Sequence, residues 1–309
     1  MTVKSQTNET LSPELQRWMD KGYYFNSAGH QIFAIDEGDK SRPVVLLIHG
    51  FPTSSWDFEP MWPALSSKYR IVCLDMLGFG FSDKPNTRDY TIHKQADLFD
   101  DLLISLEITE YHILTHDYGV SVAQEILARQ SNRQSNTQCL SCCFLNGGLF
   151  PETHQALFVQ KALLGKFGKL VNALTGYNMF AKSFSRVFGQ HSKPSPEELK
   201  LFWEAINYNN GRPVFYNLIT YMNDRREHRE RWLQPLVESK IPLALINGSQ
   251  DPVSGAHLVT RYKELGCRLD YLAELTELGH YPHTEDAARV AQHYFEFMDA
   301  ITPETLTPV

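Results

Sequence analysis

Three residues of this chain stand where side chains of their type could do covalent chemistry. Asp117 lies in I-L-T-H-D-Y-G, residues 113–119, where an apolar strand-like run gives way to a helix-like one. Asp251 follows the apolar run IPLALING (241–248), and His280 lies in Gly279-His280-Tyr281-Pro282, after the strand-like stretch RLDYLAEL. A carboxylate, a second acid and an imidazole in that chain order can act as nucleophile, orienting partner and base. Each residue also has a plain explanation. Asp117 could cap the helix that begins near residue 119, Asp251 lies in the turn-forming sequence S-Q-D-P, and His283 competes with His280 for any role as base. The ordered set at the ends of apolar runs outweighs these separate readings.

A carboxylate or ester in this position also needs backbone donors. The N–H of Tyr118, directly after Asp117, and that of Phe51, in the loop His49-Gly50-Phe51-Pro52, are the candidates; Pro52 has no N–H to give. Gly119 leaves room for a sharp strand-to-helix turn. Thr115, two residues before Asp117, stands where a glycine would make the turn roomier.

Positioning these groups requires a sheet. Residues 22–36 alternate apolar and polar around Gly29 and predict a hairpin; short apolar runs recur at PVVLLIHG, RIVCLD, YHILTH, LSCCFLN and IPLALING. Helical patterns lie between them, at 95–107 and 120–130, so the expected sheet is mostly parallel and covered by helices on both faces. Ligands bind beyond the carboxyl ends of such strands. From residue 148 to 235 the strand signal stops and aromatic-rich helical patterns take over. The expected organisation is therefore a core of residues 1–147 and 236–309, with an inserted helical cap over 148–235. Within the cap, DRREHRER at 224–231 predicts a solvated helix face.

Composition narrows the function. A net charge of −7 with the two signs interspersed offers no basic footprint for nucleic acid and little attraction to anionic lipid, so the expected ligands are small, neutral organic molecules and water. The stretch MTVKSQTNETLSPELQRWMDKG lacks the apolar core of a secretion signal, and no run approaches the roughly 18 apolar residues of a membrane span. The expected location is the cytoplasm. Five cysteines, Cys73, Cys139, Cys142, Cys143 and Cys267, show no paired metal-ligand spacing and read as reduced core residues. Neither a metal nor a cofactor is expected.

With these residues the chain resembles the aspartate-nucleophile branch of the α/β-hydrolases, which contains epoxide hydrolases and haloalkane dehalogenases. The resemblance runs over nearly the whole chain, through HGFPTSSWDF (49–58), LDMLGFGFSDKP (74–85), HDYG with VAQE (116–125), NGGLFPETH (146–154) and Tyr221-Met222-Asn223-Asp224-Arg225. It implies an α/β-hydrolase fold with Asp117 as nucleophile, His280 as base and Asp251 as its acid. The carboxylate attacks a saturated carbon to give an alkyl ester, which water activated by the histidine hydrolyses.

The leaving group divides the branch. Dehalogenases of this type hold the halide with a tryptophan directly after the nucleophile and an Asn or Trp elsewhere, but here Tyr118 and Phe51 occupy those places. Asn146 holds the position some of them use for a second acid. An epoxide hydrolase instead needs a proton donor, supplied in the family by cap tyrosines. Tyr221 is the candidate, with Tyr177 second. The expected activity is epoxide opening to a diol. Dehalogenation would need Trp56 or Trp203 as substitute halide donors, and a binding protein that kept the fold without turnover is the rival outside enzymes. Trp56, Tyr177 and Trp203 are accordingly expected to line the substrate site.

Overall fold

The computed structural model describes residues 11–87, 89–132, 137–155, 162 and 168–302. Its eight strands are β1 (Tyr23–Ser27), β2 (His30–Glu37), β3 (Val44–Ile48), β4 (Arg70–Leu74), β5 (Glu110–Thr115), β6 (Gln138–Phe144), β7 (Leu243–Gly248) and β8 (Tyr271–Leu275). They form one sheet in the order β1-β2-β4-β3-β5-β6-β7-β8. β1 and β2 make the expected hairpin, β2 runs antiparallel to β4, and the remaining neighbours are parallel.

Alternation along the strands divides the core in two. Val44, Leu46 and Ile48 of β3 join one hydrophobic cluster, with Val72, Leu74, Ile113, Leu243 and Leu245. Val45 and Leu47 join another, with Ile71, Cys73, Leu114, Ala244 and Ile246. Successive side chains of a strand point to opposite faces, so the continuous apolar runs mark strands covered on both sides. All five cysteines are buried and free, as their apolar surroundings led us to expect. Among the described residues, no helix is long and apolar enough to cross a membrane.

Every element described between β6 and β7 is helical. Part of the helical pattern expected at 156–174 lies outside the described residues, which resume with the helix Gly168–Leu174. Tyr177–Phe184, Pro196–Asn207 and Tyr221–Glu227 follow, and the helix Arg229–Val237 leads back towards β7. The Pro196–Asn207 helix opens with a capping box, Ser195 and Glu198 each satisfying the other's backbone N–H.

The returning segment is locked to the helix Tyr118–Ser131 by one carboxylate. Glu125 is 1% exposed and accepts hydrogen bonds from Arg231 (2.8 and 3.0 Å), from Trp232 Nε1 (2.9 Å) and from Arg129 (2.9 Å). Burial opposes its charge, but the donors prevail and hold its pKa down at about 2. Glu125→Gln should therefore be destabilising, by about 1–3 kcal/mol, because a neutral amide gives up the charge-assisted bonds to the half-buried Arg231 and to Trp232, while Arg129 keeps its pairs with Asp97 and Asp100. The folded-state pKa is depressed, so this stabilisation is complete above the unfolded-chain value near 4.5 and is lost as pH falls towards about 2. Urea midpoints of wild type and variant at neutral pH and at pH 3 check both points: the gap between the two proteins should narrow at the lower pH.

Candidate active site

Asp117 begins the Tyr118–Ser131 helix at φ 46° and ψ −105°, a sparsely populated conformation for a residue with a side chain. Such backbone costs about 1–3 kcal/mol and persists only where its surroundings fix it. Several contacts fix it here. The Asp117 N–H donates to Asn146 O (2.7 Å), and its carbonyl accepts from Arg225 Nη2 (3.2 Å). Gly119 lies so close to β3 that an added Cβ would come within 2.5 Å of Ile48 O and 2.7 Å of Thr115 Oγ1. The turn is thus crowded by Thr115, and Gly119 is what makes it possible.

The Asp117 side chain does not cap its helix. It turns instead into a buried junction of loops. Oδ2 accepts the Phe51 N–H (2.9 Å), and Oδ1 lies 3.5 Å from His280 Nε2. The Phe51 amide thus occupies the expected donor position, whereas no bond joins the Tyr118 N–H to the carboxylate. On its other side, His280 Nδ1 pairs with Asp251 Oδ2 at 2.7 Å. The three residues that the sequence set at separate strand ends are therefore in one line. His283 does not compete: its ring is fully buried, 4.9 Å from Phe58 and 4.4 Å from His116 between ring centroids.

Asp251 is held by more than its histidine. Oδ1 accepts from Val253 N (2.7 Å), and Oδ2 accepts from Ser254 N (3.0 Å), Ser254 Oγ (2.7 Å) and Asn146 Nδ2 (3.0 Å). Asn146 also bonds Gly248 through both its amide groups, at 2.9 and 2.7 Å, and so fastens the ends of β6 and β7 together. The asparagine noted in the sequence as an alternative acid position is instead a donor to the Asp251 carboxylate.

Charge follows from this geometry. Burial penalises all three ionised forms. For Asp117, the hydrogen bond and charge of His280 outweigh burial, with help from Arg225, and hold the carboxyl well below its usual range. Asp251 is lowered as well, the His280 charge prevailing over burial. For His280 the two carboxylates prevail in turn and push the imidazole up to about 10.

Beyond the carboxylate lies a cavity lined on the core side by Phe51, Pro52, His280 and Tyr281, and on the cap side mainly by Phe180, Phe184 and Phe215. Its wall differs from the one expected. Trp203 packs behind Phe180 (ring centroids 5.1 Å) and Tyr177 edge-on against Trp203 (6.1 Å), while Trp56 meets Phe202 (5.2 Å). The phenylalanines of the Tyr177–Phe184 helix take the wall, and Trp56, Tyr177 and Trp203 form the layer that supports them. Tyr221 is fully buried and is not among the residues that line the cavity; its ring lies 4.7 Å from that of Tyr118 and 6.2 Å from that of the lining residue Phe51, and its hydroxyl has no hydrogen-bond partner.

Arg225 was misread at the level of sequence. It belongs to DRREHRER, expected to be solvated, yet it is only 2% exposed. Its Nε donates to Ser121 Oγ (2.7 Å), Nη2 reaches the Asp117 carbonyl, and the guanidinium lies over the Tyr221 ring at 4.5 Å. Gly148 makes room for it, since a Cβ there would stand 2.2 Å from Nη1.

Comparison with known proteins agrees with this architecture. Residues 43–287 match the family model described as alpha/beta hydrolase fold. The chain is 37% identical to the mesoderm-specific transcript homolog protein of Bos taurus, over 94% of this chain and 89% of that protein. Among solved structures, an alpha/beta hydrolase fold protein from Burkholderia ambifaria superposes with a TM-score of 0.74 at 20% identity, covering 89% of this chain and 97% of that one. The haloalkane dehalogenase DbeA of Bradyrhizobium elkani USDA94 superposes with a TM-score of 0.74 at 20% identity, covering 90% and 99%. At these identities the structural likeness speaks for the fold alone.

Arg225→Lys separates a buried structural fork from a solvated charge. Lysine keeps the charge but cannot serve Ser121 and the Asp117 carbonyl at once, and an abandoned buried polar group costs about 1–3 kcal/mol. A loss of that size is expected in urea denaturation, with Arg225→Gln at least as harmful. A change within the roughly 0.5 kcal/mol typical of surface positions would return Arg225 to the solvated face.

Proposed function

Because the chain belongs to the α/β-hydrolase fold family, we propose that it is a hydrolase working through a covalent alkyl-aspartate ester, and that its substrates are small, neutral epoxides opened to diols. The observation that carries this reading is the set of contacts around Asp117. A carboxylate kept ionised, steadied by the Phe51 amide and facing a histidine backed by Asp251, is equipped to attack a saturated carbon. A serine at this position would favour acyl transfer to an alcohol; a carboxylate does not.

In the proposed cycle Asp117 displaces the epoxide oxygen and forms the ester. Tyr221, with a buried hydroxyl free of other partners, is the proposed donor of the proton to the departing epoxide oxygen. The phenolate left on Tyr221 regains its proton from His280, whose imidazole is released as a base once the ester has removed the Asp117 charge. His280 then takes a proton from water, whose oxygen attacks the ester carbonyl while the Phe51 amide supports the charge that develops there. The ester C–O bond breaks, the diol oxygen leaves with the second water proton, and the Asp117 carboxylate is restored beside the protonated imidazole. Asp251 orients the imidazole and stabilises its charged form. The apolar phenylalanine wall suits an uncharged substrate. Neither the residue after Asp117 nor Phe51 can offer a halide an indole or amide side-chain donor, which favours the epoxide over the haloalkane. The cycle uses side chains and water only, and no nucleic acid or membrane partner is proposed.

Trapping tests the chemistry. A panel of epoxides and haloalkanes, scored for diol and for halide release, identifies a consumed substrate. His280→Gln should then stop after the first step, because displacement needs no base and hydrolysis does. Intact-mass spectrometry should show the protein gaining the whole mass of an epoxide, located by peptide mapping to the segment containing Asp117. Absence of an adduct with a substrate that wild type consumes would remove the ester mechanism. Halide release without diol formation would move the activity to dehalogenation.

Substitution tests the acid separately. Tyr221→Phe should slow epoxide opening by about 10²–10⁴-fold, the usual contribution of general acid catalysis. A loss below roughly tenfold, with a larger one in Tyr281→Phe, would transfer the role to Tyr281, which lines the cavity beside His280.

A further inference from the structure

Next to the triad lies a second group of polar side chains that the proposed cycle does not use. Asp57 belongs to the short helix Ser55–Met61, His116 immediately precedes Asp117, and His283 lies in the helical turn Pro282–Glu285. All three are at most 1% exposed, and each presents a ligating atom within 4.8 Å of those of the other two. Four of their polar atoms, Asp57 Oδ1, His116 Nδ1 and both ring nitrogens of His283, have no hydrogen-bond partner. Buried polar atoms without partners are uncommon in folded proteins, and here four fall within one cluster.

The tautomer of His116 narrows what could fill it. Its Nε2 lies 2.7 Å from the carbonyl oxygen of His280, which can only accept, so Nε2 carries the proton. Nδ1 therefore presents a lone pair to the cluster. An imidazole whose far N–H is anchored on a carbonyl is the usual arrangement of a metal-bound histidine. Asp57 has one oxygen on the Thr53 hydroxyl and the other open. A positive charge at this point would answer both the open lone pairs and the isolated acid.

We propose that Asp57, His116 and His283 bind one transition-metal dication of the zinc class. Two imidazoles and a carboxylate suit zinc and its first-row neighbours, whereas magnesium and calcium prefer all-oxygen sets. Metal–ligand bonds of about 2.0–2.2 Å would need the three side chains to draw together slightly. The ion would be structural. It would clamp together the segment after the Phe51 loop, the Asp117 turn and the His280 loop, so that amide, nucleophile and base keep their spacing. No metal was expected from the sequence, because positions 57, 116 and 283 form no ligand motif. The proposal stands apart from the choice of substrate.

The test uses the full chain purified without a histidine tag. Metal analysis after dialysis should find close to one equivalent of zinc or a neighbouring metal per chain. Metal-free protein titrated with cobalt(II) should develop visible d–d absorption that saturates at one equivalent and is displaced by zinc, and its Tm should rise on reloading. Asp57→Asn and His283→Gln, checked for folding by circular dichroism, should lose this binding, while His280→Gln should retain it because its carbonyl remains. Wild-type protein that contains no metal and gives no cobalt spectrum would overturn the proposal and leave the cluster to shared protons or water. So would uptake by the His283 variant equal to wild type. If the variants fail to fold, the cobalt titration of wild type decides alone.

Discussion

The site depends on one carboxylate kept ionised although it is almost wholly buried. Moving a carboxylate into a protein interior is costly unless donors and opposite charge replace its hydration. Asp117 obtains the Phe51 amide on one oxygen and His280 beside the other, with Arg225 behind its backbone. These come from the loop after β3, the loop after β8 and the cap. The fold is thus the device that gathers the counter-charges: the parallel sheet brings the strand ends to one edge, and the sharp turn before the Tyr118–Ser131 helix lifts the side chain to meet them. Asn146, linking Asp117 N–H, Asp251 and Gly248, sets the spacing of the strand ends.

The same reasoning explains the paired charges. Asp117, Asp251, His280 and Arg225 all lie within the protein, two of each sign when the imidazole is protonated. Each carboxylate raises the histidine, and the histidine lowers each carboxylate. Formation of an ester at Asp117 would remove one of the two negative charges, so the environment of His280 would differ between the first and second halves of the proposed cycle.

Legibility in the sequence followed the reach of each physical signal. The strands were readable because apolar runs bounded by turn residues report burial on both faces, and Asp117, Asp251 and His280 were readable because they follow such runs directly. Phe51 was found the same way. The cap was harder to read. Helical periodicity announces an element but not which neighbour its faces meet, so Trp56, Tyr177 and Trp203 were assigned to a wall that Phe180, Phe184 and Phe215 occupy. Arg225 was hidden in a run of charges, where nothing local distinguishes the residue that turns inwards; Gly148, far away in sequence, is what admits it. The grouping of Asp57, His116 and His283 depends on three segments far apart in the chain meeting and has no trace in spacing.

The lock at Glu125 also bears on how molecules reach the cavity. The segment carrying Arg231 and Trp232 is joined to the Tyr118–Ser131 helix by a buried charged network, so its backbone amides should exchange with solvent only when much of the core opens. The segment is thereby fastened to the core at that end. Met179, by contrast, both lines the cavity and is 47% exposed, which puts the mouth at the Tyr177–Phe184 helix. A small molecule entering there would pass the aromatic helix and leave the anchored segment undisturbed, so the stability of that anchorage and access to the cavity are set by different parts of the chain.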